Sequence, residues 1–150
     1  MKAINLSGDE HVLRIKSSLL SLRQGLLAVQ FRATKVYRQA LARRFTVCYF
    51  AFLNYLVARL QVYEKPHEQC GMEDIIQRCR RSNILNPGDE RMIIKMSMLY
   101  AALSYYDEGF DVASDELLAD IPEMANFLER FISLHGVVPL RRAILQPWVN

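Results

Sequence analysis

An apolar run of 14 residues, Phe45 to Ala58, constrains the fold of this chain more than any other feature of its sequence. At about 1.5 Å per residue a helix of that length spans roughly 21 Å, whereas the hydrocarbon core of a bilayer is about 30 Å thick. Arg44 and Arg59 flank the run, and a helix that is apolar on every side must be enclosed by other helices. The run therefore predicts the buried centre of a helical bundle and no membrane partner.

Apolar residues before this run recur at intervals of three and four, which is the spacing of one stripe on a helix. They predict a first helix, in which Gly25 is either a local weakness of about 1 kcal/mol relative to Ala or a point of close approach by a neighbouring helix. We expect Leu13, Leu20 and Leu27 to widen the buried stripe. The stripe itself consists of Val12, Ile15, Leu19, Leu22, Leu26 and Val29.

The second predicted helix runs from about Thr34 to Glu64 and contains the apolar run. Lys65-Pro66 ends it, because proline cannot donate the next hydrogen bond and restricts the residue before it. Asn54 lies in the middle of the helix, where we favour a hydrogen-bonded core amide over a polar contact across a helix pair.

The third helix is predicted over about 72–83 and the fourth from near Asp89, because the Asn86-Pro87-Gly88 sequence between them is typical of a turn. Apolar residues of the third helix share one side, and its basic residues are expected to face water. These basic residues are Arg78, Arg80 and Arg81.

A fifth helix is predicted from about Ala113 to Leu134, closed by Gly136, and Pro122 either kinks it or starts a new segment. Nowhere does the alternation of a β-strand persist between hairpin signals. The sequence therefore predicts an all-α fold, an antiparallel up-down bundle of about five helices, with one domain at 1–136 and a C-terminal tail at 137–150.

Charge is distributed unevenly along the chain. Nine Arg and Lys and no Asp or Glu lie between His11 and Tyr63, whereas eight acidic and no basic residues lie between Asp107 and Glu129. This distribution has three possible explanations. The two halves of the chain pack against each other, or a basic face binds an anionic partner, or two protomers pair so that opposite charges meet. We favour mutual packing of the two halves.

Little in the sequence indicates chemistry. Three cysteines without tight pairing, and a start without a signal-peptide pattern, favour a reducing compartment, so we expect a cytoplasmic protein. His67, Cys70 and Cys79 lack a fourth metal ligand at a suitable spacing, so no metal is expected. The histidines are scattered and no glycine-rich phosphate loop is present, so we expect no catalytic residue and no cofactor.

Several segments resemble the nucleotidyltransferase substrate-binding family of the HEPN superfamily of helical bundles. In that family a basic or mixed helix ends in a Gly-Leu-Ile-type turn, and the next helix carries an Arg-Asn...Ser-His-x-Tyr-Asp-type motif. The resemblance covers about residues 10–134. It rests on DIIQRCRRSNIL at 74–85, the helix from Asp89 to Tyr106, Asp107-Glu108, Ile121-Pro122, and Arg43-Arg44-Phe45 leading into an aromatic run.

The chain departs from the family at the histidine of this motif, which RNA-cleaving members of the superfamily place four to six residues after an arginine. Ser104 or Tyr105 stands at the histidine position, depending on the register. Neither side chain acts as an acid or base at neutral pH as an imidazole does. We therefore expect a pocket without histidine and no nuclease activity.

The resemblance implies that this chain is a non-catalytic homodimer that binds a small nucleotidyltransferase. It implies also that the chain resembles a subunit of a toxin-antitoxin pair. The motif positions are Ser104, Tyr105, Tyr106 and Asp107. Tyr106 matches the tyrosine that in some relatives is the target of nucleotide transfer by the partner enzyme.

Two alternatives remain open. The basic first two helices are one candidate surface for a nucleotide or an RNA backbone, with Arg38, Arg43 and Arg44 as contacts to the anion. The other alternative is a HEPN-type ribonuclease with an altered site around Lys95, Ser104 and Tyr105.

Overall fold

The computed structural model describes residues 8–63, 71–105 and 114–136, and within these ranges it contains five helices and no strand. The predicted all-α bundle is therefore confirmed. The tail at 137–150 lies outside the described residues. The helices are α1 (Gly8–Phe31), α2 (Lys35–Tyr63), α3 (Met72–Arg81), α4 (Pro87–Tyr105) and α5 (Ile121–His135).

The four longer helices alternate in direction. Along the α1–α2 contact, Gly25 lies against Leu41, and Arg44 Nη1 donates to the Ser21 carbonyl oxygen at 2.9 Å, so residue numbers fall on one helix as they rise on the other. Helices α4 and α5 are also antiparallel, because Lys95 lies beside Glu123 while the start of α4 meets the end of α5.

The middle of α2 is the centre of the bundle, and every residue from 51 to 60 is buried. Phe52 packs edge-on against Phe127 and Phe131 of α5, with ring centroids 5.9 and 5.3 Å apart. This arrangement confirms that other helices enclose the apolar run over 51–58, whereas Val47, near its start, is exposed. None of the five described helices combines the length and hydropathy that a bilayer span requires.

The predicted stripe of α1 is buried or half-buried, but Leu13, Leu20 and Leu27 are exposed, so the expectation that they widen it is wrong. Each of these leucines directly follows a stripe residue and therefore lies about 100° further round the helix. Helices α2 and α5 cover α1 from the other side.

Backbone geometry shifts the ends of α3 and α4 from their predicted positions. Asn83 adopts a left-handed φ of 57°, and Ile84 N donates to the Cys79 carbonyl oxygen at 2.9 Å, which is the pattern of a Schellman turn. Helix α3 therefore ends at Arg81, two residues earlier than predicted. Arg78 is largely buried beside Asp74 rather than turned to water as predicted.

The predicted turn at 86–88 is the start of α4. Asp89 N donates to Asn86 Oδ1 at 2.8 Å, and Asn86 N donates to Asp89 Oδ2 at 3.1 Å, which forms a capping box. Pro87 follows the cap at the first helical position, where a missing N–H removes no hydrogen bond.

Helix α5 begins at Ile121 rather than near Ala113, with residues 115–120 in turns before it. Of the two alternatives, Pro122 thus starts a new segment, in whose first turn it is accommodated. Gly136 closes α5 as predicted, with a φ of 62°.

The two interior residues singled out in α1 and α2 have different outcomes. A Cβ on Gly25 would lie 3.0 Å from Arg44 Cδ and 3.2 Å from Leu41 Cδ1, so this glycine does mark close helix approach. Asn54 Nδ2 donates to the Phe50 carbonyl oxygen at 3.0 Å, but the buried Oδ1 accepts no hydrogen bond from the protein. The prediction of a hydrogen-bonded core amide therefore holds for the Asn54 NH2 group and not for its oxygen.

Opposite charges of the two halves meet in the fold. Arg23 pairs with Glu129 and also donates to Asn126 Oδ1 at 3.2 Å, while Arg38 Nη1 lies 3.8 Å from Asp115 Oδ1. Exposed pairs of this kind stabilise a fold by no more than about 1 kcal/mol each. They support mutual packing of the halves, and the other two interpretations remain predictions.

We expect Gly25→Val to lower the free energy of unfolding by about 2 kcal/mol, because the new side chain overlaps Leu41 and the Arg44 stem. The matched control is Gln24→Val at the adjacent exposed position, where only helix propensity of about 0.5 kcal/mol is lost. Urea denaturation measures both. Equal destabilisation by the two variants would contradict close packing at Gly25.

Candidate functional site

The family-motif residues lie at the end of α4. Ser104 is exposed in its last turn and Tyr105 is its final residue, while Tyr106 and Asp107 lie outside the described residues. The four positions are thus contiguous in the chain, and their binding role stays a prediction.

Two turns before Ser104, the same helix carries a polar contact inside the bundle. Tyr49 Oη and Ser97 Oγ are 2.8 Å apart, and the ring of Tyr49 stacks on Tyr100 with centroids separated by 5.1 Å. Burial raises the pKa of the Tyr49 phenol. The phenol therefore stays protonated and joins α2 to α4 as a hydrogen-bonding group.

Lys95 and Ser104, two members of the altered ribonuclease site, are not brought together. Nine residues separate them on α4, which corresponds to about 14 Å along the axis and to opposite sides of the helix. Lys95 Nζ instead lies 3.9 Å from Glu123 Oε2. At this distance and on opposite sides of α4, the two side chains cannot contact the same substrate group.

The arginines considered for anion binding divide between structural and exposed positions. Arg38 Nη1 donates to the Ala33 carbonyl oxygen at 2.6 Å and lies near Asp115, and Arg44 bridges to α1 through the Ser21 carbonyl. Arg43 is exposed. Two of the three guanidinium groups thus stabilise the bundle, and anion binding by the group stays a prediction.

A cleft of about 760 Å³ opens at the other end of α4, between the α3–α4 turn and the second half of α5. Its volume lies in the range of about 300–1,000 Å³ that is common for ligand sites. Apolar side chains mix with polar ones, and Cys, Ser and Thr are missing from the described residues that line it. Lining residues include Met92, Phe127, Phe131, Asp89, Arg130 and His135.

His135 is the titratable group of interest in the cleft. Its ring lies against Phe131, with centroids 4.1 Å apart. Burial is the main cause that lowers its pKa, the positive charge of Arg59 lowers the pKa further, and Asp89 acts in the opposite direction. Near pH 7 the imidazole is therefore neutral and can both donate and accept a hydrogen bond.

Helix α2 holds the end of α5 beside this cleft. Arg59 is buried and its Nη1 donates to the His135 carbonyl oxygen at 3.2 Å, while Tyr55 Oη donates to the Gly136 carbonyl oxygen at 2.7 Å. A cation at the carbonyl end of a helix is favourable because of the helix dipole. These two bonds fix where His135 lies.

The cleft brings together residues that sequence reasoning missed. The pocket without histidine was expected at the motif end of α4, whereas this cleft, with His135 on its wall, lies at the other end, so that expectation stays a prediction. Phe131 and His135 are four residues apart on a helix with one apolar side, so they lie on the same face. This spacing is the sequence signal from which the pair could have been found. No sequence pattern indicates that Asp89, on a different helix, lies near these two residues.

Metal binding has no support in the parts of the chain that the structure describes, where no group of three His, Cys, Asp or Glu side chains could hold an ion. Cys48 and Cys79 are buried and form no disulfide, whereas His67 and Cys70 lie outside the described residues. Burial raises the pKa of the Cys48 thiol to about 11, so this thiol is protonated at neutral pH.

Comparison with known protein families, with curated proteins and with solved structures finds no match to this chain.

The lowered pKa of His135 makes stability depend on pH in a defined direction. Between the ordinary value of 6.5 and the lowered folded value, the unfolded chain binds the proton more tightly, so stability is lost as the pH falls through this window. We expect His135→Gln to reduce the loss in urea midpoint between about pH 7.5 and pH 5.

Arg130→Gln is the control, because it changes the same cleft without removing a group that titrates in this range. It should keep the pH dependence of the wild-type chain. Identical pH profiles for wild type and His135→Gln would show that His135 does not have a lowered pKa.

Proposed function

We propose that this chain is a non-catalytic helical subunit that binds a small nucleotidyltransferase, in the manner of a toxin-antitoxin pair. The family resemblance implies that it acts as a homodimer, and its cysteine content favours the cytoplasm. Cys48 and Cys79 are buried and form no disulfide, which is compatible with the reducing conditions of that compartment.

The turn after α3 carries the proposal. The family's helix ends in a Gly-Leu-Ile-type turn, and this chain has Asn83-Ile84-Leu85 at the matching place. Asn83 adopts the left-handed backbone that glycine supplies most easily, and the two apolar residues after it are buried. This backbone conformation supports the proposed resemblance at the turn, because glycine adopts it readily as well.

The end of α4 supports a binding role rather than a catalytic one. Ser104, which occupies the histidine position in one register, is an exposed hydroxyl on the last turn, and Lys95 lies on the opposite side of the helix. An exposed Ser104, two positions before Tyr106 in the chain, suits recognition by another protein. The neutral His135 lies at the far end of α4, about four turns away.

The test uses the purified chain and a purified small nucleotidyltransferase encoded beside its gene. We expect the two proteins to elute together from a sizing column and to bind with a micromolar or lower dissociation constant, about −8 kcal/mol or better. Absence of a complex at concentrations of about 100 μM would contradict the proposal.

Tyr106 gives the same experiment a second readout. With a nucleoside triphosphate present, intact mass spectrometry should show a nucleoside monophosphate added to the wild-type chain and not to Tyr106→Phe. Tyr37→Phe, a half-exposed tyrosine on α2, is the matched control and should still be modified. Modification of both variants would place the acceptor elsewhere.

A further inference from the structure

Helix α1 presents a narrow apolar ridge to the outside of the bundle. The ridge consists of four side chains with exposed fractions of 63, 61, 65 and 89%, in the order Leu13, Leu20, Leu27 and Phe31. Intervals of seven, seven and four residues keep them within an arc of about 40° on the helix surface. The ridge supplies one of the two apolar positions per heptad that a coiled-coil seam has, so it fits a single row of apolar side chains on a second helix.

Cations border the ridge on both sides. Lys16 lies on one side, Arg14 and Arg32 lie on the other, and all three are exposed. The stretch from 11 to 63, which forms most of α1 and all of α2, contains no Asp or Glu. Charge complementarity therefore favours an occupant with acidic side chains along the edges of its own apolar stripe.

Two grooves beside the ridge provide space for the flanks of a second helix. One groove of about 530 Å³ lies between α1 and α5 and includes Leu19, Leu20 and Ile132. The other, of about 680 Å³, lies between α1 and α2 and includes Val47, Phe50 and Asn54. Asn54 lines this second groove as well, with its Oδ1 buried and without a hydrogen bond to the protein.

We propose that the α1 ridge is a docking seam for an acidic amphipathic helix of a partner protein. From Leu13 to Phe31 the seam is about 27 Å long, so the partner helix needs roughly 18 residues to cover it. Docking on α1 requires neither the nucleotidyltransferase activity of the partner nor Tyr106.

The same features weigh against two other occupants. A second copy of α1 would bring the same cations against Arg14, Lys16 and Arg32, because the acidic residues of α1, Asp9 and Glu10, lie in its first turn, before the ridge begins. An anionic membrane attracts cations too, but a helix that lies in the bilayer interface uses a broad apolar face, and this ridge is about one side chain wide. The observations therefore favour the acidic helix.

The experiment measures binding of two synthetic helices by fluorescence anisotropy. Both are three heptads long with leucine in the seam, and they differ only in glutamate or lysine at the flanking positions. We expect the glutamate helix to bind the wild-type chain and the lysine helix not to bind. Added salt should weaken the glutamate complex.

The seam is tested with Leu20→Gln/Leu27→Gln, which should weaken binding by at least about tenfold. The matched control is Met98→Gln/Leu134→Gln, since these two side chains are equally apolar and exposed but lie on α4 and α5. Circular dichroism should show unchanged helix content in both double variants, because all four substituted side chains face outward.

Three results would overturn the proposal. One is equal affinity of the glutamate helix for the wild-type chain and for the ridge variant. Another is sedimentation of the wild-type chain as a dimer that the ridge variant abolishes, which would make a second copy the occupant. The third is binding to anionic phosphatidylserine vesicles or to an RNA oligonucleotide without binding to the glutamate helix.

Discussion

Burial of the middle of α2 is the interaction on which the rest of the structure depends. Ten consecutive residues are removed from water there, so the surrounding helices must each give up one apolar side to cover them. Helix α5 does so with Phe127 and Phe131 and α1 with its stripe, while Tyr100 of α4 packs on Tyr49 just before these ten residues. Each surrounding helix packs one side against α2, so its other side determines which residues the molecule exposes to solvent.

Periodicity was sufficient to predict which elements form and the centre of the side that each one buries. The stripe of α1 and the buried middle of α2 follow from spacing, whereas the width of a buried side depends on how far the neighbouring helices cover it. Helix ends could not be predicted so well. They depend on single hydrogen bonds, such as those that join Asn86 and Asp89, and on the left-handed backbone of Asn83.

The candidate sites were predictable to different degrees. The end of α4 could be found from a contiguous motif that includes Ser104. The cleft could not, because it forms only where the α3–α4 turn meets α5, and Asp89 and His135 come together through the fold rather than through the sequence. The ridge on α1 was visible as three leucines but was assigned to the core, since spacing does not show how far neighbouring helices extend.

The left-handed turn at Asn83 also bears on how relatives of this chain can be recognised. Glycine and asparagine both adopt this backbone conformation, so the letter at the position can change while the path of the chain is kept. Substitutions between these two residues lower the sequence identity of relatives and leave the backbone conformation of the turn unchanged. Distant homologues are then better sought through the order of helices and the spacing of turns than through conserved letters.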